Sequence, residues 1–249
     1  MENKKFVIVI PSFNNERWCE KSLLSAVGQQ YDGEFRIILT NDASTDATQT
    51  LLESLIVKNN FTNVKLINNS ERLGALHNLY NMIHSCDDKE ICVDLDGDDF
   101  LIGPNVLTTL NQVYQNENVW MTYGSYLDSG PMTFGCCKPY EEQVIKTNNY
   151  RKVSWRASHL RSRYSKLFKM IKKEDLMHDG KFFESAWDCS YQFPMLELSA
   201  GNHRFISDAL YIYNNDNPIS DFRVKQQQQG FFDGVIRRKQ PYQKLDKLF

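Results

Sequence analysis

Short, β-branched apolar runs alternate with longer segments of helical spacing through the N-terminal half of the chain, and this rhythm constrains the fold most. Phe6–Ile10, Phe35–Leu39, Val64–Ile67 and Glu90–Val93 read as strands. Between them, Glu16–Gln29, Thr45–Lys58 and Leu73–His84 read as helices. Trp18, Leu23, Leu24 and Val27 share a face of the first, and Leu51, Leu52, Leu55 and Ile56 point inward from the second. Strands joined through crossover helices lie parallel. The expected class is therefore α/β: a Rossmann-like, mostly parallel central sheet flanked by helices. Such sheets bind ligands beyond the carboxyl ends of their strands. The polar clusters Ser12–Asn15, Asn41–Asp42 and Asp94–Asp99 stand at those ends.

The rhythm fades in the second half. Val119–Tyr126 suggests a further strand, and residues 127 to 155 a long loop or lid. Basic helical segments follow from Arg161 to Lys173, then a helix over Ala186–Ser199 and short strands within Arg204–Tyr213. The 249 residues fit one domain, in which residues 1–105 form a ligand-binding half and residues 106–249 a C-terminal extension. A net charge of -2 lacks the basic excess of a nucleic-acid binder, so no nucleic-acid partner is expected. The six cysteines form no CxxC pair and read as reduced, packing residues of a cytoplasmic protein. No stretch approaches the ~20 apolar residues of a membrane span. The basic run Arg237–Lys239 reads as solvated, with peripheral membrane contact left open.

Chemistry concentrates in Asp94-Leu-Asp-Gly-Asp-Asp99. Four carboxylates in six residues repel one another unless a cation joins them. Hard oxygen donors suit Mg2+ or Mn2+, and Gly97 permits the tight turn that lets Asp96 and Asp98 face one pocket. The alternatives are a solvated acidic turn and a calcium loop, but the terminal glutamate of the latter is missing. In Asn41-Asp-Ala-Ser-Thr-Asp46, Asp42 either accepts a base N–H or joins Ser44 and Thr45 in capping the next helix.

Val9-Ile-Pro-Ser-Phe-Asn-Asn15, Asn41–Asp46, Leu73-Gly-Ala-Leu-His-Asn78 and Asp96-Gly-Asp-Asp99 resemble, in order and spacing, the motifs of glycosyltransferase family 2. The likeness covers about the first 105 residues. It implies a GT-A fold and an inverting, metal-dependent transferase with a nucleotide-sugar donor, expected to be a UDP-sugar. It also implies an acceptor-side C-terminal extension. The implied donor-binding residues are Pro11, Ser12, Asn15, Asp42, Gly74, Asn78, Asp96 and Gly97. Asp42 would meet the base and Asp96 the ribose, while Asp96 and Asp98 form the DxD pair that holds Mn2+ or Mg2+. His203 and His159 are candidates for a further metal ligand.

Members of the family carry a carboxylate, often in a Glu-Asp pair, that opens an acceptor-side helix as general base. Ser185-Ala-Trp-Asp-Cys-Ser190 resembles that motif, with Asp188 as the matching base and Trp187 where the Glu usually stands. Asp188 as a helix-dipole partner is the alternative. Glu184 and Glu197 are the next carboxylates along this stretch. Leu210–Pro218 followed by Ser220 resembles the C-terminal end of such domains. Trp155, Arg156, His159, Arg161 and Arg163 either close over the diphosphate or acceptor, or form a solvated basic helix. The expected acceptor is a hydroxyl of a glycan, a lipid-linked glycan or a protein. A sugar nucleotidyltransferase is disfavoured because Pro11–Asn15 lacks the glycines of a triphosphate grip. A non-catalytic nucleotide- or sugar-binding module is the remaining alternative.

Overall fold

The computed structural model describes residues 2–218, 224 and 226–249; Ser220 lies outside the described residues. Strands β1 (Phe6–Ser12), β2 (Phe35–Asn41), β3 (Val64–Asn68) and β4 (Ile91–Asp94) alternate with helices α1 (Cys19–Val27), α2 (Thr48–Asn59) and α3 (Ala75–His84). There follow β5 (Phe100–Leu101), α4 (Val106–Tyr114), β6 (Met121–Asp128), α5 (Glu142–Thr147), β7 (Arg161–Tyr164) and α6 (Ser165–Lys169). The short hairpin β8 (Met177–His178) and β9 (Lys181–Phe182) leads to α7 (Trp187–Leu198), β10 (His203–Tyr213) and α8 (Gln226–Arg238).

The main sheet has the order β3-β2-β1-β4-β7-β6-β10-β5. The sheet is mixed, which corrects the mostly parallel expectation. β7 runs antiparallel to both its neighbours, β4 and β6, and β5 runs antiparallel to β10. The parallel half matches the reading of the sequence. β1 is buried along its whole length because helices cover both faces, so its residues form an unbroken apolar run rather than an alternation. One core packs α3, α6 and α7 against one face, through Leu79, Met82, Leu167, Phe168 and Tyr191. The other packs α1, α2 and α4 against the opposite face, through Leu23, Leu52, Leu107 and Leu110. Leu24 and Leu51, expected inward, are instead 42% and 39% exposed: the stripe facing the sheet is narrower than the apolar spacing implies.

The basic segments are the larger correction. Arg161 and Arg163 do not lie on a helix; they alternate on β7 and are 1% and 0% exposed. Antiparallel pairing sets Ser162 opposite Val93 and Thr122. Its hydroxyl bonds Thr122 Oγ1 at 2.6 Å and Tyr114 OH at 3.0 Å, on the face away from the arginines. Residues 127 to 155, read as a lid, contain α5 and a 3-10 turn at Tyr150–Lys152. The short strands expected within Arg204–Tyr213 form one strand, β10, bulged between Ile206 and Ala209. The run Arg237–Lys239 is not simply solvated: Arg237 pairs with Asp233 and donates to the carbonyls of Arg151 and Val153. Among the described residues no helix is long and apolar enough to cross a membrane.

Candidate active site

A cavity of about 780 Å3 opens beyond the carboxyl ends of β1, β2 and β4, where a parallel sheet presents its loops. Of the expected donor residues, Pro11, Ser12, Asn15, Asp42, Gly74, Asn78, Asp96 and Gly97 all line it, as do Asp98, His159 and Asp188. A volume of this size matches ligand pockets of about 300–1,000 Å3.

The acidic loop is pinned along the end of β1. Leu95 N–H donates to Val9 O and Gly97 N–H to Pro11 O, both at 3.1 Å. A Cβ on Gly97 would meet Ser12 Oγ at 2.7 Å and Asn15 Nδ2 at 2.8 Å, so only glycine lets the loop approach so closely. From the other side β10 holds the loop. Tyr211 OH accepts Asp96 N–H at 3.1 Å and donates to Asp99 Oδ2 at 2.6 Å, and Asn214 N–H donates to Asp99 Oδ1 at 2.7 Å. Asn217 Nδ2 donates to Asp98 Oδ2 at 2.7 Å.

Asp96, Asp99 and His159 offer ligand atoms that all lie within 4.8 Å of one another. His159 stacks on Tyr211, with centroids 4.5 Å apart and planes at 12°. Its Nδ1 lies 3.9 Å from Asp96 Oδ2, buried and without a hydrogen-bond partner. Burial, then the nearby Arg161, holds the imidazole well below its ordinary pKa, so it is neutral and its ring can offer a lone pair. Burial first, then the charges of Asp98, Asp94 and Asp188, pushes Asp96 up to about 7 against the opposing pull of Arg161. Two carboxylates and a neutral imidazole suit a divalent cation such as Mn2+. Asp98 stands outside this group but lines the same cavity.

His203, the other histidine considered as a ligand, is elsewhere. Its Nε2 lies 2.9 Å from Tyr150 OH, its ring packs on Tyr123 and Tyr140, and it does not line the cavity. Burial, then Arg204, lowers it to about 4. The histidine beside the acidic loop thus comes from just before β7, not from β10.

Two residues on, at the first position of β7, Arg161 reaches three carboxylates. Its Nε is 3.5 Å from Asp94 Oδ2, its Nη2 is 3.5 Å from Asp96 Oδ2, and its Nη1 is 3.3 Å from Asp188 Oδ2. Asp94, which the sequence counted with the metal-binding cluster, is committed to the protein: Arg163 Nη1 lies 2.5 Å from its Oδ1, and Tyr191 OH donates to its Oδ2 at 2.8 Å. Asp188 opens α7, its Oδ1 accepting Cys189 N–H at 2.9 Å. Burial raises its pKa, and Arg161 opposes that rise. Glu184 also lines the cavity. Glu197 does not; it is fully buried in a two-pronged pair with Arg151, at 2.6 and 2.8 Å.

Just past the end of β2, Asp42 is largely occupied. Its Oδ1 accepts Leu73 N–H at 2.9 Å and Asn69 Nδ2 at 2.8 Å, and its Oδ2 accepts Gly74 N–H at 2.8 Å. Gly74 sits at φ +92, a left-handed conformation that favours glycine, and α3 begins from it without a side-chain cap of its own. Asp42 thus ties the start of α3 to β2 across the mouth of the site. Burial disfavours its charge, but the donors of Asn78, Leu73, Asn69 and Gly74 outweigh that and hold its pKa below the ordinary value. Ser44 and Thr45 bond to Asn14 rather than capping α2. Beside them, the Arg72 guanidinium lies 3.8 Å from the centre of the Phe13 ring, both on the cavity wall.

The sequence profile of glycosyl transferase family 2 matches residues 7–178. An uncharacterized glycosyltransferase of Haemophilus influenzae is 28% identical over 129 residues, which are 51% of this chain and 38% of that protein. The dolichyl N-acetyl-alpha-D-glucosaminyl phosphate 3-beta-D-2,3-diacetamido-2,3-dideoxy-beta-D-glucuronosyltransferase of Methanococcus voltae is 36% identical over 66 residues, 26% of this chain and 21% of that protein. The matches thus span well under half of either relative. Among solved structures, S. aureus TarS 1–349 in complex with UDP-GlcNAc superposes with a TM-score of 0.64 at 18% identity, over 86% of this chain and 59% of that one. The Pyrobaculum calidifontis mannosyltransferase PcManGT, in complex with GDP-Man and Mn2+, superposes with a TM-score of 0.63 at 16% identity, over 97% and 66%. The chain belongs to glycosyltransferase family 2. It has the family's GT-A-like fold.

Proposed function

We propose that the protein transfers a sugar from a UDP-sugar to an acceptor hydroxyl, with inversion at the anomeric carbon and with the help of Mn2+ or Mg2+. The acceptor is a glycan, a lipid-linked glycan or a protein. One observation carries this reading: the acidic loop and Asp188 face a single cavity, held on either side of one buried guanidinium. Donor and base thereby belong to one space.

The donor set fits the metal. His159 Nδ1 has no partner, and Asp96 and Asp99 stand close by; Asp98 completes the candidate ligands. When bound, a divalent cation neutralises charge on the departing diphosphate. The protein's own groups do the rest. Asp42, on the cavity wall just past β2, meets the base. Pro11, Ser12, Asn15, Gly74, Asn78 and Gly97 shape the nucleotide wall. Asp188 takes the proton from the acceptor hydroxyl as its oxygen bonds to the anomeric carbon. The bond to the diphosphate oxygen breaks on the opposite face, which inverts the centre. TarS with UDP-GlcNAc and PcManGT with GDP-Man and Mn2+ support the donor class and the metal.

The test is release of nucleoside diphosphate from a panel of nucleotide sugars, with Mn2+ and with EDTA. The expected result is turnover of at least one UDP-sugar that EDTA stops. Tight binding of a nucleotide sugar with no turnover, under any metal and with any acceptor, favours the binding-module reading instead.

A further inference from the structure

We infer that Arg161 is a positioning residue that places the general base relative to the donor. The inference rests on the transferase reading and on Asp188 as its base. Arg161 lines the cavity but is only 1% exposed, and its guanidinium faces protein carboxylates. Its three nitrogens are divided among three carboxylates from different parts of the chain: Nε to Asp94, Nη2 to Asp96 and Nη1 to Asp188.

The three contacts are not equivalent. Asp94 is immobile, held by Arg163 and by the hydroxyl of Tyr191. Its charge faces the Nε edge at 3.5 Å, while the two hydrogen bonds of the guanidinium go to Asp96 and Asp188. The planar fork then fixes where its other two corners lie, because a guanidinium cannot bend between its nitrogens. One corner meets Asp96 on the donor loop and the other meets Asp188 at the start of α7. The Trp187 ring, 5.4 Å from the guanidinium carbon, supports it from the helix side. Without this cation, Asp94, Asp96 and Asp188 would repel one another and Asp188 would turn away from the donor. A lysine there keeps the charge but offers one nitrogen, and so cannot hold both corners.

The experiment compares Arg161→Lys, Arg161→Gln, Asp188→Asn and the double variant Arg161→Lys/Asp188→Asn. The substrate is the nucleotide sugar that the wild type turns over fastest. Thermal melting and calorimetric titration with the nucleoside diphosphate plus Mn2+ are run on the same preparations. The expected result is that Arg161→Lys binds the nucleotide within about threefold of wild type while kcat falls at least tenfold. In the Asp188→Asn background the same substitution costs less than about threefold, because Arg161 acts through Asp188. Equal cost in both backgrounds, or kcat within threefold of wild type, overturns the inference. Failure of both Arg161 variants to fold also overturns it, in favour of a purely structural arginine. If the wild type turns over no donor, the transferase reading itself has failed, which is a different outcome from any of these.

Discussion

Asp96 carries the sharpest consequence at the scale of single residues. Its pKa is raised to about 7 from the usual 3.8, chiefly by burial, then by Asp98, Asp94 and Asp188 against the pull of Arg161. The folded apo protein therefore holds this proton more tightly than the unfolded chain does. Stability without metal falls as pH rises from about 4 to about 7 and levels off above. Metal binding needs the carboxylate, so Mn2+ affinity rises across the same interval and uptake near neutral pH releases a proton. Calorimetry in two buffers of different ionisation enthalpy reads that release directly; identical heats near pH 7 contradict it. Asp98→Asn removes one repelling charge, so the apo protein should melt at the same or a higher temperature while metal-dependent donor binding is lost. Unchanged donor titration in that variant excludes Asp98 from the metal site. Asp42→Ala should weaken free nucleotide and intact donor alike by about 1.5–3 kcal/mol, the worth of a hydrogen bond to a charged group. Because Asp42 also holds Leu73 and Gly74, the loop before α3 loosens too; amide exchange there separates the two effects. Equal nucleotide affinity in wild type and variant returns Asp42 to loop-holding alone.

Among the elements, β7 decides how the two halves meet, and it is the element the sequence hid. β1 to β4 were legible because apolar β-branched runs between amphipathic segments have few other solutions. In β7 the alternation is of arginines with a serine and a tyrosine, which reads as polar and solvated. The charges are tolerable only because Asp94, at the end of β4, lies beside them in the fold though far away in sequence. Long-range pairing of that kind leaves no local periodicity. The period-two spacing of Arg161 and Arg163 was the available signal. Asp188 entered through its resemblance to a family motif, and His159 and His203 as alternative histidines; Asp188, His159 and Asp99 line the cavity and His203 does not, while Asp99 stood outside the pair of Asp96 and Asp98. Arg163→Met should destabilise the protein by about 3–5 kcal/mol, as expected when one partner of a buried ion pair is removed. Denaturant unfolding measures it. A loss under 1 kcal/mol shows that packing against Tyr191 and Phe168, not the pairing with Asp94, holds the strand.

The whole molecule joins a first half built on the parallel strands to a second half that the C-terminal segment braces. Arg151 pairs with Glu197 and donates to Ile236 O on α8, while Glu197 accepts Tyr242 N–H. The far end of α7 is thus fixed by the tail, and its near end presents Asp188 to the cavity. The central claim is that Asp188 activates the acceptor for attack on a donor held by the other half. Asp188→Asn tests it most directly, with steady-state transfer and donor affinity measured on one preparation. The asparagine keeps Oδ1 for Cys189 N–H, so the helix start survives the change. The account predicts transfer lowered by about 10²–10⁴-fold with donor affinity unchanged. Transfer within a few-fold of wild type contradicts it, and leaves Glu184 as the next carboxylate in the cavity to test.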